Sequence, residues 1–154
     1  GNNWFAHGMV ARGRPVTALT YPGPMDVPHC WAYLPDAAET FQRLLDTDLP
    51  HHAVFHLRGH EMDGRQLQAA LETVAGRRIP VRKLPWLAVA AAAPFVETMR
   101  EMQEMRYLWR DTVLMDNARL VAHLGAEPHT PLTDALREVL RGQGSLPAEV
   151  RAAA

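Results

Sequence analysis

The stretch AVFHLRGHEMDGRQLQAALETVAGRRIPVRK, residues 53–83, decides the fold class. Ala53, Val54, Phe55 and Leu57 form a compact apolar run ending at Gly59, which predicts a strand buried on both faces. Asp63 stands where an N-cap oxygen is needed, and Leu67, Ala70, Leu71 and Val74 recur at helical spacing. Gly76 supplies the left-handed residue that ends such a helix. Residues 79–83 read as a second strand. Strand, helix and strand in that order favour parallel pairing through a crossover helix, hence an α/β fold.

Working outward, residues 15–21 alternate and are closed by Gly23-Pro24, which predicts a short strand. Residues 29–34 alternate again, placing His29, Trp31 and Tyr33 on one face and Cys30, Ala32 and Leu34 on the other. A helix opens at Pro35 or Asp36 with the apolar stripe Ala37, Phe41, Leu44 and Leu45. Residues 86–109 are helical in composition with a break at Pro94, and Met99, Met102, Met105 or Arg106, and Trp109 recur at helical spacing as the inward face. Asp116 caps a helix that Gly125 stops. Thr130-Pro131 opens a last one, with Leu132, Leu136, Val139 and Leu140 inward. The expectation is one domain over residues 1–141, with a few short strands, some parallel, about five helices, and a frayed tail over residues 142–154.

The 154 residues suit one domain, which buries roughly 70% of its unfolded surface. Net charge is −1 and the arginines are dispersed, so no basic footprint for nucleic acid is present. The longest apolar run, residues 84–96, is too short for a bilayer and is broken by Pro85 and Pro94, so no membrane partner is expected. The single cysteine, Cys30, makes no internal disulfide, and together with the lack of a visible signal peptide this points to the cytoplasm.

His29-Cys30-Trp31-Ala32-Tyr33-Leu34-Pro35-Asp36 resembles the strand motif Arg-Asp-Tyr-x-x-Val-x-Asp of extended short-chain dehydrogenase/reductases, the NAD-dependent epimerase/dehydratase group. Arg110, Asp116, Leu124-Gly125, Pro128 and residues 132–140 follow in the order seen near that family's C-terminus, and Gly1-Asn2-Asn3-Trp4 looks like its substrate loop. The resemblance runs over residues 1–141. It implies the C-terminal, substrate-binding part of a Rossmann-like extended enzyme, with NAD or NADP as the cofactor of the full-length parent. Two departures matter. The ten glycines form no GxGxxG, and the only lysine, Lys83, has Ile79 four residues before it where the family's catalytic Tyr belongs. No catalytic residue and no bound cofactor are therefore expected of this chain alone, and the missing N-terminal nucleotide-binding half is its implied partner. The alternative is a free-standing, non-catalytic binding or interaction module derived from the same fold.

The resemblance makes Asn2, Asn3, His29, Trp31, Tyr33, Arg106 and Arg110 the candidate substrate-binding residues. His29 stands where enzymes acting on nucleoside diphosphates place an arginine. A neutral imidazole does not replace a guanidinium on phosphate, so a small or hydrophobic carbonyl or hydroxyl compound is the expected substrate. The competing reading is that the strand residues pack in the core and that Arg106 and Arg110 pair with Glu101, Glu104 and Asp111. No metal site is expected, because His56 and His60, four apart, straddle a strand and Gly59 rather than one helix face. Self-association is expected if the run at 53–57 lies at an open sheet edge.

Overall fold

The structure, a computed structural model, describes residues 5–49 and 51–146. It is an α/β fold of four short strands and six α-helices among those residues: β1 (Leu19–Tyr21), β2 (His29–Trp31), α1 (Leu34–Leu45), β3 (His60–Met62), α2 (Gly64–Ala75), β4 (Val81–Lys83), α3 (Trp86–Ala92), α4 (Glu97–Glu104), α5 (Ala118–Leu124) and α6 (Leu132–Gly142). A π-helical turn covers Phe5–Met9, and a 3-10 turn, Met105–Trp109, extends α4. β1 and β4 are parallel, with Leu19 opposite Val81 and Tyr21 opposite Lys83. β2 and β3 are antiparallel, with His29 opposite Met62 and Trp31 opposite His60.

The helix predicted from Asp63 to Gly76 forms with both ends as read. Asp63 Oδ1 accepts from Gln66 N at 2.8 Å, Gln66 Oε1 accepts from Asp63 N at 2.9 Å, and Gly76 takes φ 65°. Leu67 and Leu71 on α2 join Leu136 and Leu140 on α6 in one core with Val16, Leu19, Tyr21 and Ile79. Polar ties fix α2 to the chain entering β4: Ile79 N donates to Glu72 Oε1 and Gln68 Nε2 donates to Ile79 O, both at 2.8 Å. Parallel pairing follows as expected, but β4 pairs with β1 and not with the strand that precedes α2.

That strand is also displaced. The run at 53–57 forms none, and β3 begins only at His60. Gly59 explains the shift: it adopts φ 58°, and a Cβ there would fall on the Trp31 carbonyl, so the chain turns onto β2 at this glycine. Val54 is left 61% exposed, and Phe55 packs on the His123 ring, with the Arg119 guanidinium over it. Glu127 holds the approach, its carboxylate accepting from Arg58 N at 3.0 Å, Gly59 N at 2.8 Å and Asn117 Nδ2 at 2.7 Å.

The α1 stripe is rotated from its predicted face. Phe41 and Leu45 are exposed, while Ala37, Thr40 and Leu44 are buried. Thr40 sits inside because its hydroxyl donates to Asp36 O at 2.8 Å. Thr130 does not cap α6 but donates to Asp36 instead, and Pro131 takes the N-cap position. The methionine stripe is not core either, since α4 has no buried residue. The tail is held as far as Leu146: Ser145 is buried and its hydroxyl donates to Ala11 O at 3.1 Å, and Gly13 N donates to Gln143 O at 2.9 Å.

Candidate functional site

Tyr21 ends β1 at the carboxyl edge of the parallel pair, the edge at which open α/β sheets bind ligands. Trp109 lies against it edge-on, with ring centroids 5.8 Å apart. The His29 ring is 5.4 Å and the Trp31 ring 5.9 Å from the same indole, so one tryptophan gathers residues from both sheets. Two glycines make this possible. A Cβ at Gly23 would fall on the Trp109 carbonyl, and one at Gly64 would stand 2.8 Å from Met25 Sδ and 2.9 Å from Tyr21 Cζ.

The polar atoms of this cluster are its unusual feature. Tyr21 Oη, His29 Nε2 and Trp31 Nε1 are each buried without a hydrogen-bond partner among the described residues. A buried polar group of this kind costs about 1–3 kcal/mol, so three around one ring form a costly arrangement for a core with no other task. Burial first, and then the Asp63 charge, pushes the Tyr21 phenol up to about 12, which keeps it a proton donor rather than a base. Burial lowers the His29 pKa, favouring the neutral ring. The cluster thus offers hydrogen bonds without charge, which suits a carbonyl or hydroxyl oxygen better than a phosphate.

Other candidates fall elsewhere. Tyr33 leaves the strand face to become the N-cap residue of α1, where burial, Glu138 and Asp36 raise its pKa. The Arg106 guanidinium lies 4.9 Å over the Trp86 ring, and Trp86 Nε1 donates to Pro22 O at 2.7 Å. Arg106 and Arg110 do not share a helix face, because the 3-10 turn at 105–109 puts about three residues in each turn. Among the described residues neither pairs with Glu101, Glu104 or Asp111. Asn2 and Asn3 lie outside the described residues. Cys30 Sγ accepts from Met115 N at 3.3 Å. Two surface concavities, of about 650 Å³ along Pro35, Glu39 and Arg43 and about 430 Å³ beside Val16, Arg77 and Ser145, do not reach Trp109. We favour the cluster over them because both are open to solvent and only the cluster combines aromatic walls with buried polar atoms.

Sequence reasoning missed Tyr21 and Trp109. The signal for Tyr21 was present, since it is the last residue of a strand before a Gly-Pro turn. Trp109 read only as one more apolar position at helical spacing.

No family model and no curated protein matches the chain. Solved structures do. A "putative epimerase" from Burkholderia cenocepacia J2315 is similar over 82% of this chain and 36% of its own, with TM-score 0.55 and 17% identity. RMD from Pseudomonas aeruginosa complexed with NADPH is similar over 82% and 35%, with TM-score 0.56 and 20% identity. The likeness establishes the fold. The chain spans little more than a third of either structure.

The residues present do not fit the NADPH that the RMD structure holds. The N-terminus of α2, which follows a strand, is already closed by the Asp63 carboxylate, and a pyrophosphate there would face a negative charge. Gly64 serves close packing against Met25 and Tyr21 instead of a phosphate approach.

Proposed function

We propose that this chain is the C-terminal, substrate-binding part of an extended short-chain dehydrogenase/reductase, an NAD(P)-dependent oxidoreductase or epimerase acting on a small or hydrophobic carbonyl or hydroxyl compound. The observation that carries this reading is the cluster of Tyr21, His29 and Trp31 about Trp109, with three unpartnered polar atoms and no charged group among them. The coverage of the two neighbours supports the partial-enzyme reading. The nucleotide, NAD or NADP, and the hydride chemistry belong to the nucleotide-binding half. This chain supplies shape and hydrogen bonds to the substrate oxygen through His29, Trp31 and Tyr21. Because the three polar atoms are sealed, the Met105–Trp109 turn has to move for a substrate to enter.

Exposed side chains favour a partner over a free-standing module. Leu87 and Phe95 are 89% and 88% exposed, and Val113, Leu114 and Met115 are 40% or more exposed. The nucleotide-binding half covers such a surface in the intact enzyme, and a second copy covers it in the isolated chain. None of the helices is long and apolar enough to cross a membrane among the described residues.

The test is nicotinamide oxidation with a panel of small ketones and aldehydes. The chain alone should show no turnover, and the same chain extended by its upstream coding sequence should show it. In the extended protein, Trp31→Phe should raise KM more than it lowers kcat. Turnover by the chain alone overturns the partial-enzyme reading, and unchanged kinetics in Trp31→Phe overturn the site.

A further inference from the structure

We infer that Asp36, His60 and His129 form a binding site for one divalent ion of the zinc class, separate from the Trp109 cluster and independent of the reading given to it. The three come from the first turn of α1, the first residue of β3 and the loop ahead of α6, so the partner of His60 is His129 and not His56. One ring nitrogen of each histidine and one carboxylate oxygen all lie within 4.8 Å of one another. The two imidazole centroids are 4.4 Å apart. His60 is 9% exposed and its Nε2 is buried with no hydrogen-bond partner among the described residues. His129 is open to solvent, which gives an ion a way in.

Two imidazoles and a carboxylate are the donor set of an open zinc site, with water in the fourth position. Zinc at about 2.0–2.1 Å from each donor places donors roughly 3.3 Å apart, so the group closes by up to about 1.5 Å on binding, which rotation of the exposed His129 provides. The carboxylate is already oriented. Thr130 donates its N–H to Asp36 Oδ2 at 2.8 Å and its hydroxyl to Oδ1 at 2.6 Å, and each oxygen keeps a lone pair. The surroundings favour a cation, since the Glu127 carboxylate acts on both imidazoles and the Arg58 guanidinium is turned to Glu61.

The experiment is thermal unfolding of the chelator-stripped chain with Zn²⁺, together with a Co²⁺ titration followed by visible absorption. One equivalent should bind, and Tm should rise by about 5 °C or more at a hundredfold excess over Kd. His129→Ala, at an exposed position, should leave the apo Tm unchanged. It should weaken Co²⁺ binding by more than the roughly 10–100-fold that follows loss of an outer partner. A His51→Ala, His52→Ala double variant should bind as the parent does. Absence of binding, or binding that survives His129→Ala or is lost in the His51, His52 variant, overturns the site.

Discussion

The α2–α6 layer and the α3–α4 hairpin are both read from sequence as amphipathic helices, and only one of them is buried. Leu67, Leu71, Leu136 and Leu140 are closed from solvent against one another, whereas α4 buries nothing and Leu87 and Phe95 stand almost fully open. Helical spacing of apolar residues states which face seeks a partner. It does not state that the partner lies in the same chain. Here α3 packs on α4 and buries Val89 while leaving Leu87 open, the geometry of a surface made to be covered.

Core truncation should show the largest contrast. Leu71→Ala and Leu140→Ala should each cost about 2–5 kcal/mol in denaturant unfolding, because both are fully buried and neighbours only partly fill the cavity. Phe95→Ala should stay within about 0.5 kcal/mol despite the larger side chain removed. Equal losses in the two regions would mean that the hairpin is covered after all.

Gly23→Ala should come next. The new Cβ meets a backbone carbonyl, that of Trp109, and neither element gives way easily. A loss of about 1–3 kcal/mol is expected, with a shift in tryptophan emission as the indole leaves Tyr21, His29 and Trp31. A destabilised variant with parental emission would separate the glycine from the cluster.

Much of this fold was legible because local chemistry marks it. Asp63 and Gly76 carry their own capping signals, and Pro94 breaks the helix where it should. What escaped was set by contacts distant in sequence. The run at 53–57 has strand composition, yet Gly59 and the carboxylate of Glu127, nearly 70 positions on, decide that pairing starts at His60. The candidate site was half legible: the resemblance pointed to His29 and Trp31, while Tyr21 and Trp109 join them only through the meeting of two sheets.

Acid should loosen the polar ties around that junction in order. His29 has a depressed pKa from burial, so its contribution is complete above the unfolded value near 6.5 and fades as pH falls below it. For Glu127, burial alone would raise the pKa, but hydrogen bonds from Arg58 N, Gly59 N and Asn117 outweigh it and the net shift is down. Its contribution is complete above the ordinary 4.5 and is lost as pH falls through the lowered value. Glu127→Gln should cost about 1–2 kcal/mol at neutral pH and flatten the lower part of a stability-against-pH curve while leaving the upper part in place. An unchanged lower limb would show that the three hydrogen bonds carry no net stability.

The smallest effect on stability should be the most telling about the hairpin. Leu87→Ser with Phe95→Ser removes two large apolar side chains that are already in water, so unfolding should move by less than about 0.5 kcal/mol. Sedimentation should nonetheless show the isolated chain shifting toward monomer, because these are the two most exposed of its large apolar side chains among the described residues. A parent that is already monomeric at high concentration would remove self-association, leaving the nucleotide-binding half as the partner to test. A double variant that unfolds readily would instead place Leu87 and Phe95 in a contact within the chain, and the contrast between the two regions would collapse.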